Sequence, residues 1–424
     1  MTVMQLDLSQ IQMTPVQQRF PESPAIDIEA VVAEQTAPLF ATLKPGATVA
    51  VGVGSRGITH HARIVKAVIE QLLKAGAKPF ITPAMGSHGG GTPEGQTQVL
   101  NDFGITEEAF GVPLRAPMNS SIIGQTESGY DIWFSEAARE ADHVFVVNRI
   151  KPHTDFSGNL GSGCLKMLTI GLGKREGAAN YHQNSVRDGF EKVLREIGGA
   201  ILDRLPVLGG LAIVEDQRHQ PVALEAIQRA TWIEQEERLF QLATELLPKI
   251  PFSDIDLLIV DQIGKNISGT GFDTNVVGRS VHGYTTLMGR EQTPPPHIKR
   301  MYVRDLTLQT HGNAIGVGKA DFVHRRLVDQ IDRKATYLNA LTSLTPHSAK
   351  IPITCETDEE AIQLALVSAG VNDAAKARVV RIQDTLNLTT VAASAPMLET
   401  VAETLDVQSG RRQPLLESLT TALA

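Results

Sequence analysis

The chain reads as an α/β protein of two domains, each a largely parallel sheet flanked by helices. Three observations predict this. Apolar runs of strand length alternate with amphipathic stretches of helix length, the pattern of parallel strands joined by crossover helices. Glycine occurs 36 times while aromatics make up only 5% of residues, which suits tight strand-to-helix turns. At 424 residues the chain exceeds one ordinary core, since a domain takes roughly 150 residues. With 42% hydrophobic and 20% charged residues the composition is that of a globular protein, which excludes a disordered chain.

The first 45 residues are polar and carry prolines, and read as an arm or a short strand region. Thr48 to Val53 is a buried strand, Ser55-Arg56-Gly57 a turn, and Ile58 to Ala75 a helix with Ile64, Val68 and Leu72 on one face and Gly76 at its stop. Lys78 to Thr82 is the next strand, and it runs into Gly86-Ser-His88-Gly-Gly-Gly-Thr92, where Thr92 suits an N-cap. Strands follow at 143–148 and 208–215, and a helix is expected over 222–249, ending before Pro251. A second series has strands at 255–260, 301–306 and 314–317 and helices at 320–342 and 357–369. The boundary falls near 240–253, giving domains 1–245 and 252–424, with the last helix able to pack back on the first. Internal repeats and low-complexity tracts are absent.

The formal charge is −8 and the pI about 5.9, with no basic stripe, so nucleic acid is not an expected partner. Two cysteines, Cys164 and Cys355, make no disulfide framework and fit a reducing cytoplasm. The N-terminal stretch lacks the charge and apolar run of a signal peptide, and no run reaches the roughly 18 apolar residues of a membrane span. A homo-oligomer is compatible with all of this.

Chemistry concentrates between residues 55 and 182. Arg56 sits at a strand's C-terminal end, where open α/β sheets bind ligands, and it suits a bidentate carboxylate or a plain surface turn. His88 lies among glycines that let backbone approach a ligand, and it reads equally as a proton shuttle or a loop histidine with one structural bond. His153 follows Lys151-Pro152 and has the same two readings, with Asp155 near enough in sequence to orient it. Gly158, Gly161 and Gly163 precede Lys166 and a helix start, where exposed amides favour phosphate. This is neither a Walker A loop, because Met167 follows Lys166, nor the dinucleotide fingerprint. His182 has no second ligand at helical spacing, so a conventional zinc site is not indicated. His60-His61 reads as a solvated pair. Lys265 and Asn266, with Asp273 and Asn275 beyond them, end a strand in the second half and read as cleft residues or as turns.

In their order and spacing these residues resemble the nickel-pincer lactate racemase family of 2-hydroxyacid racemases and epimerases. A strand-end Ser-Arg is followed by a Gly-Ser-His loop about thirty residues on, then a strand with a second histidine. A glycine-rich loop carrying lysine comes next, and a histidine sixteen residues past it. The resemblance implies a site in the cleft between two α/β domains. It also implies a nickel-pincer nucleotide, a pyridinium-3,5-bisthiocarboxylic acid mononucleotide joined to Lys166 as a thioamide. Sulfur, carbon and sulfur of the pincer would bind nickel in one plane, with His182 as fourth ligand, and soft planar donors suit Ni(II). Gly158, Gly161, Gly163 and Ser55 would sit with the cofactor. Arg56, with Lys265 and Asn266, would hold the substrate, and His88 and His153 would exchange its hydroxyl proton from opposite faces while hydride leaves and returns at C2.

The departures mark a divergent member. The family's turn has an acid and then Thr-Arg-Pro, where this chain has Val53-Gly54-Ser55-Arg56-Gly57; Gly89 follows the loop histidine, and Pro152 precedes the second. A Gln and Lys pair of the second half has no match. The substrate expected is a 2-hydroxy acid, lactate or a larger and more polar one. Two other readings stand beside this one: a binding protein for a phosphorylated or carboxylated small molecule, and an NAD-dependent 2-hydroxyacid dehydrogenase.

Overall fold

The computed structural model describes residues 5–154, 158–279, 296–399 and 405–423. Two compact units emerge, one of Glu22–Leu247 and one of the remainder of the chain. The α/β class expected from the sequence is the class observed.

Glu22–Leu247 is built on a five-stranded sheet in the order Lys78–Pro83, Thr48–Val53, His143–Arg149, Val207–Glu215, Pro221–Gln228. The first four strands are parallel and the last is antiparallel. Thr48–Val53 and His143–Arg149 are buried almost throughout, as strands covered on both faces must be. One face packs the helices Ile28–Phe40 and His61–Lys74, through Val32, Ile64, Val68 and Leu72. The other packs Leu165, Leu168, Ile197 and Trp232. The chain leaves Thr48–Val53 toward one edge of the sheet and His143–Arg149 toward the other. The gap between the carboxyl ends of these two neighbours is therefore the topological switch point, where sheets of this kind open a crevice.

The other unit holds a nine-stranded sheet. Asp254–Ile263, His297–Leu306, Phe322–His324, Ile353–Cys355 and Val379–Ile382 run parallel. Thr390–Ser394 pairs antiparallel with Val379–Ile382 and then with Gln12–Gln18. The first strand of the chain thus belongs to the second unit's sheet, where the sequence reading put it in the first domain; its backbone donors find partners on Thr390–Ser394 and Leu405–Val407. The short last helix Leu415–Ser418 also stays here, because Arg381 donates to Ser418 O and Arg304 to Leu419 O at 3.0 Å. Cations at these orphan carbonyls complete the helix end.

Three local expectations are corrected. The helix expected over 222–249 begins only at Trp232–Glu245, because Pro221–Gln228 pairs with Val207–Glu215 and buries Leu224, Ala226 and Ile227. The strand expected at 314–317 is a turn with Gly316 at φ 97°, and the third parallel strand forms at Phe322–His324. The helix expected over 320–342 is that strand plus two short helices, Arg325–Asp329 and Arg333–Thr342, capped by the side chains of His324 and Asp332. Among the described residues, no helix is long and apolar enough to cross a membrane.

Candidate functional site

The switch point of the Glu22–Leu247 unit gathers most of the residues singled out in the sequence. Gly54, Ser55 and Arg56 leave the end of Thr48–Val53, and Ile150 to His153 leave the end of His143–Arg149. The two ends are locked together. Asn148 is buried, and a Cβ on Gly54 would lie 2.7 Å from its Oδ1, so only glycine lets the first strand end this close to the second. Asn148 Nδ2 donates to Gly163 O at 3.2 Å, which ties both to the turn that carries Lys166.

Lys166 closes the short helix Cys164–Lys166, and a π-helical turn, Met167–Gly171, follows at once. Such turns are rare and recur at functional sites. Gly171 abuts the Ala84 carbonyl, where a Cβ would approach to 2.6 Å, and Gly171 O accepts from Gly86 N at 3.1 Å. The π turn is thereby fastened to the loop that bears His88. That loop is held by Gln96, whose Nε2 donates to Gly86 O at 2.8 Å and to His88 O at 3.2 Å. The His88 ring bonds through Nδ1 to Ser55 Oγ.

His182 projects from the helix Lys174–Asp188, edge-on to Tyr181 and Phe190 with centroids 5.8 and 6.3 Å away. Its Nδ1 is buried with no hydrogen-bond partner among the described residues. Burial, then the Lys166 charge, lowers its pKa to about 4, so the ring is neutral at pH 7. His153 is half-buried and is held well below the ordinary imidazole range, first by burial and then by Lys166, His182, Arg56 and Lys151. Those influences bring four of the expected residues into one electrostatic neighbourhood. Arg56 is solvent-exposed and makes no hydrogen bond or ion pair to a described residue. The protein around it, then Arg149, lowers its pKa. Arg149 itself is neutralised by Glu215, whose other oxygen accepts from Thr59 N at 2.8 Å.

The three glycines are closely packed. A Cβ on Gly158 would strike Glu191, one on Gly161 would lie 2.7 Å from Lys151 O, and one on Gly163 would strike Glu236. The nearby amides are spent on the same groups. Asn159 N donates to Glu191 at 3.1 Å, Ser162 N to Lys151 O at 3.0 Å and Leu165 N to Glu236 at 2.9 Å. Close packing against Glu191, Lys151 and Glu236 thus accounts for glycine at these three positions.

Three residues without a sequence signal support the site. Glu236 accepts from Leu165 N and from Trp232 Nε1, and burial raises its pKa to about 7. Lys174 is fully buried at positive φ, donates to Pro83 O at 2.8 Å, and is lowered to about 8 by burial. Cys164 is buried and its thiol pushed up by burial, so it is a packing residue. His61 departs from expectation. It opens the helix His61–Lys74 buried beside Phe103 with neither ring nitrogen bonded, and burial lowers it to about 4, whereas His60 is exposed. Asp155 lies outside the described residues.

Lys265 and Asn266 follow the strand Asp254–Ile263 of the other unit. Lys265 Nζ donates to Asn339 Oδ1 at 2.6 Å, and Asn266 Oδ1 accepts from Thr307 Oγ1 at 2.5 Å. Both serve turns of their own unit. Asp273 caps the short helix Thr274–Val277. Among the described residues no group of three His, Cys, Asp or Glu side chains is placed to hold a metal.

The fold is that of lactate racemase. The apoprotein structure of that enzyme from Thermoanaerobacterium thermosaccharolyticum superposes with a TM-score of 0.52 at 13% identity, over 88% of this chain and 98% of that one. No protein of curated function matches the sequence. The model of a domain of unknown function, DUF362, matches residues 42–264, which is more than half of the chain and takes in Arg56, His88, His153, Lys166 and His182. The chain belongs to the DUF362 family.

Proposed function

We propose that the chain is an isomerase that inverts C2 of a 2-hydroxy acid, using a nickel-pincer nucleotide carried on Lys166. The observation that supports this best is the shared neighbourhood of Arg56, His153, Lys166 and His182 at the switch point, with His88 held on Ser55 beside Arg56. The likeness in fold to the lactate racemase apoprotein agrees with it.

The residues present fit such a group. His182 is a neutral imidazole with an orphaned buried nitrogen, as a metal ligand must be free of its proton. Among the described residues this donor has no trio around it, which suits a metal whose other ligands come from an organic cofactor. Lys166 sits near enough to His182 and His153 to depress both, and its amine would hold the cofactor. The chemistry such a group supplies is reversible acceptance of the C2 hydride.

The chain's own residues do the rest. Arg56, exposed and unpaired among the described residues, clamps the substrate carboxylate and so fixes C2. His153, its pKa depressed, is neutral at pH 7 and takes the hydroxyl proton from one enantiomer, while His88 serves the other. Protein made alongside the cofactor's biosynthetic enzymes is expected to carry a mass adduct on Lys166, absent in Lys166→Ala, and to interconvert the enantiomers of at least one member of a 2-hydroxy acid panel. An unmodified intact mass under those conditions would refute the proposal.

A further inference from the structure

We propose that Ser55 is a positioning residue that fixes the ring orientation and tautomer of His88, so that proton exchange with the substrate runs through His88 Nε2. This rests on the acid/base role proposed for His88. The contact is a side-chain hydrogen bond between Ser55 Oγ and His88 Nδ1, spanning 33 positions of sequence. Both partners are anchored from behind. Ser55 follows Gly54, which is wedged against Asn148, and Ala84 N donates to Val53 O at 2.8 Å just before it. The His88 backbone is fixed by Gln96 Nε2 at its carbonyl and by its own N–H donating to Met85 O at 3.1 Å. The hydroxyl and the ring therefore meet where the turn after Thr48–Val53 and the loop after Lys78–Pro83, each tied by hydrogen bonds, come together.

The chemistry of a hydroxyl at this place differs from that of a carboxylate. In the base form a histidine that uses Nε2 keeps its proton on Nδ1, and in the acid form it carries protons on both nitrogens. Ser55 Oγ accepts from Nδ1–H in both, so nothing in the pair rearranges when a substrate hydroxyl proton moves onto Nε2 or back. A carboxylate would favour the imidazolium and bias the ring toward the acid. A neutral hydroxyl holds the ring without that bias, which suits a residue that acts as base on one enantiomer and acid for the other. The turn Val53-Gly54-Ser55-Arg56 lacks an acid, and the group it brings to the ring is the Ser55 hydroxyl.

The test uses the full chain with 15N-labelled histidine and needs no cofactor. Long-range proton–nitrogen spectra, assigned to His88 with His88→Gln, are expected to show the neutral ring as the Nδ1–H form in the wild type and in Ser55→Thr. In Ser55→Ala the Nε2–H form should rise severalfold. An unchanged tautomer ratio in Ser55→Ala would overturn the proposal. In loaded protein, Ser55→Ala is expected to lower turnover roughly tenfold, part of the ~100-fold or more a general acid/base contributes, with KM unchanged and Ser55→Thr restoring it. Loaded protein that isomerises no 2-hydroxy acid, with the tautomer shift intact, would instead remove the proposed activity and with it the catalytic purpose of the contact.

Discussion

The two units treat buried charge in opposite ways. Beyond Pro248, cations under the sheet are neutralised by neighbours. Asp261 bonds Arg381 at 2.6 Å and Arg304 at 2.8 Å, Asp358 takes Arg304 from the other side, and Asp256 holds both Arg378 and Lys299. Among the described residues of Glu22–Leu247, buried Lys174 donates to a carbonyl, Glu236 keeps an unbonded oxygen, His182 and His61 have unbonded nitrogens, and the exposed Arg56 stands unpaired beside them. Leaving polar groups unsatisfied costs stability, and a fold keeps them where something else uses them. The contrast separates a unit whose buried cations are paired from one that, Arg149 and Glu215 aside, leaves several buried polar groups without a partner among the described residues.

Substitutions can break or sharpen that contrast. The largest effect is expected from Asp261→Ala, which strands Arg381 and leaves Arg304 to Asp358 alone; denaturant unfolding should show a loss of about 3–5 kcal/mol. Lys174 comes next. Its pKa falls from the ordinary 10.5 to about 8 in the fold, so the unfolded chain binds more protons between those values. Stability should therefore rise as pH climbs from about 8 to 10.5, by roughly 3 kcal/mol at most, and Lys174→Met should flatten the rise. Glu236 gives the reverse sign. Its pKa climbs from 4.5 to about 7, the folded state holds the extra proton, and stability should decline as pH rises through that window. Glu236→Gln should remove this decline, as measured by unfolding at pH 5 and pH 7.5. The smallest change in stability belongs to Arg56→Ala, within about 0.5 kcal/mol, yet this variant should lose the binding of 2-hydroxy acids by loaded protein in calorimetry. If it instead unfolded the chain, the view of Arg56 as an unspent charge would fail.

The parts legible in the sequence were those whose pattern is local. Thr48–Val53, His143–Arg149 and Asp254–Ile263 are continuous apolar runs, and the Arg56, His88, His153, Lys166 and His182 series stands in chain order. What stayed hidden was decided by distant partners. Pro221–Gln228 contains Ala, Leu and Glu, good helix formers, and becomes a strand because Val207–Glu215 offers it a ladder. Gly158, Gly161 and Gly163 looked like an anion loop because the carboxylates that fill it, Glu191 and Glu236, arrive from 33 and 73 residues further on than the glycines they meet. His61 looked solvated because no local pattern announces that Phe103 will cover it.

The strand Gln12–Gln18 has an effect on the order of events during synthesis. It lies between Thr390–Ser394 and Leu405–Val407, so this strand has neither neighbour until synthesis passes Thr390. Glu22–Leu247 meets no such delay, since all the strands of its five-stranded sheet are made once synthesis reaches Gln228. Long-range pairing of this kind slows assembly and leaves an unpaired edge waiting. A nascent chain stalled near residue 260 should therefore bear a protease-resistant middle and a cleavable leading end.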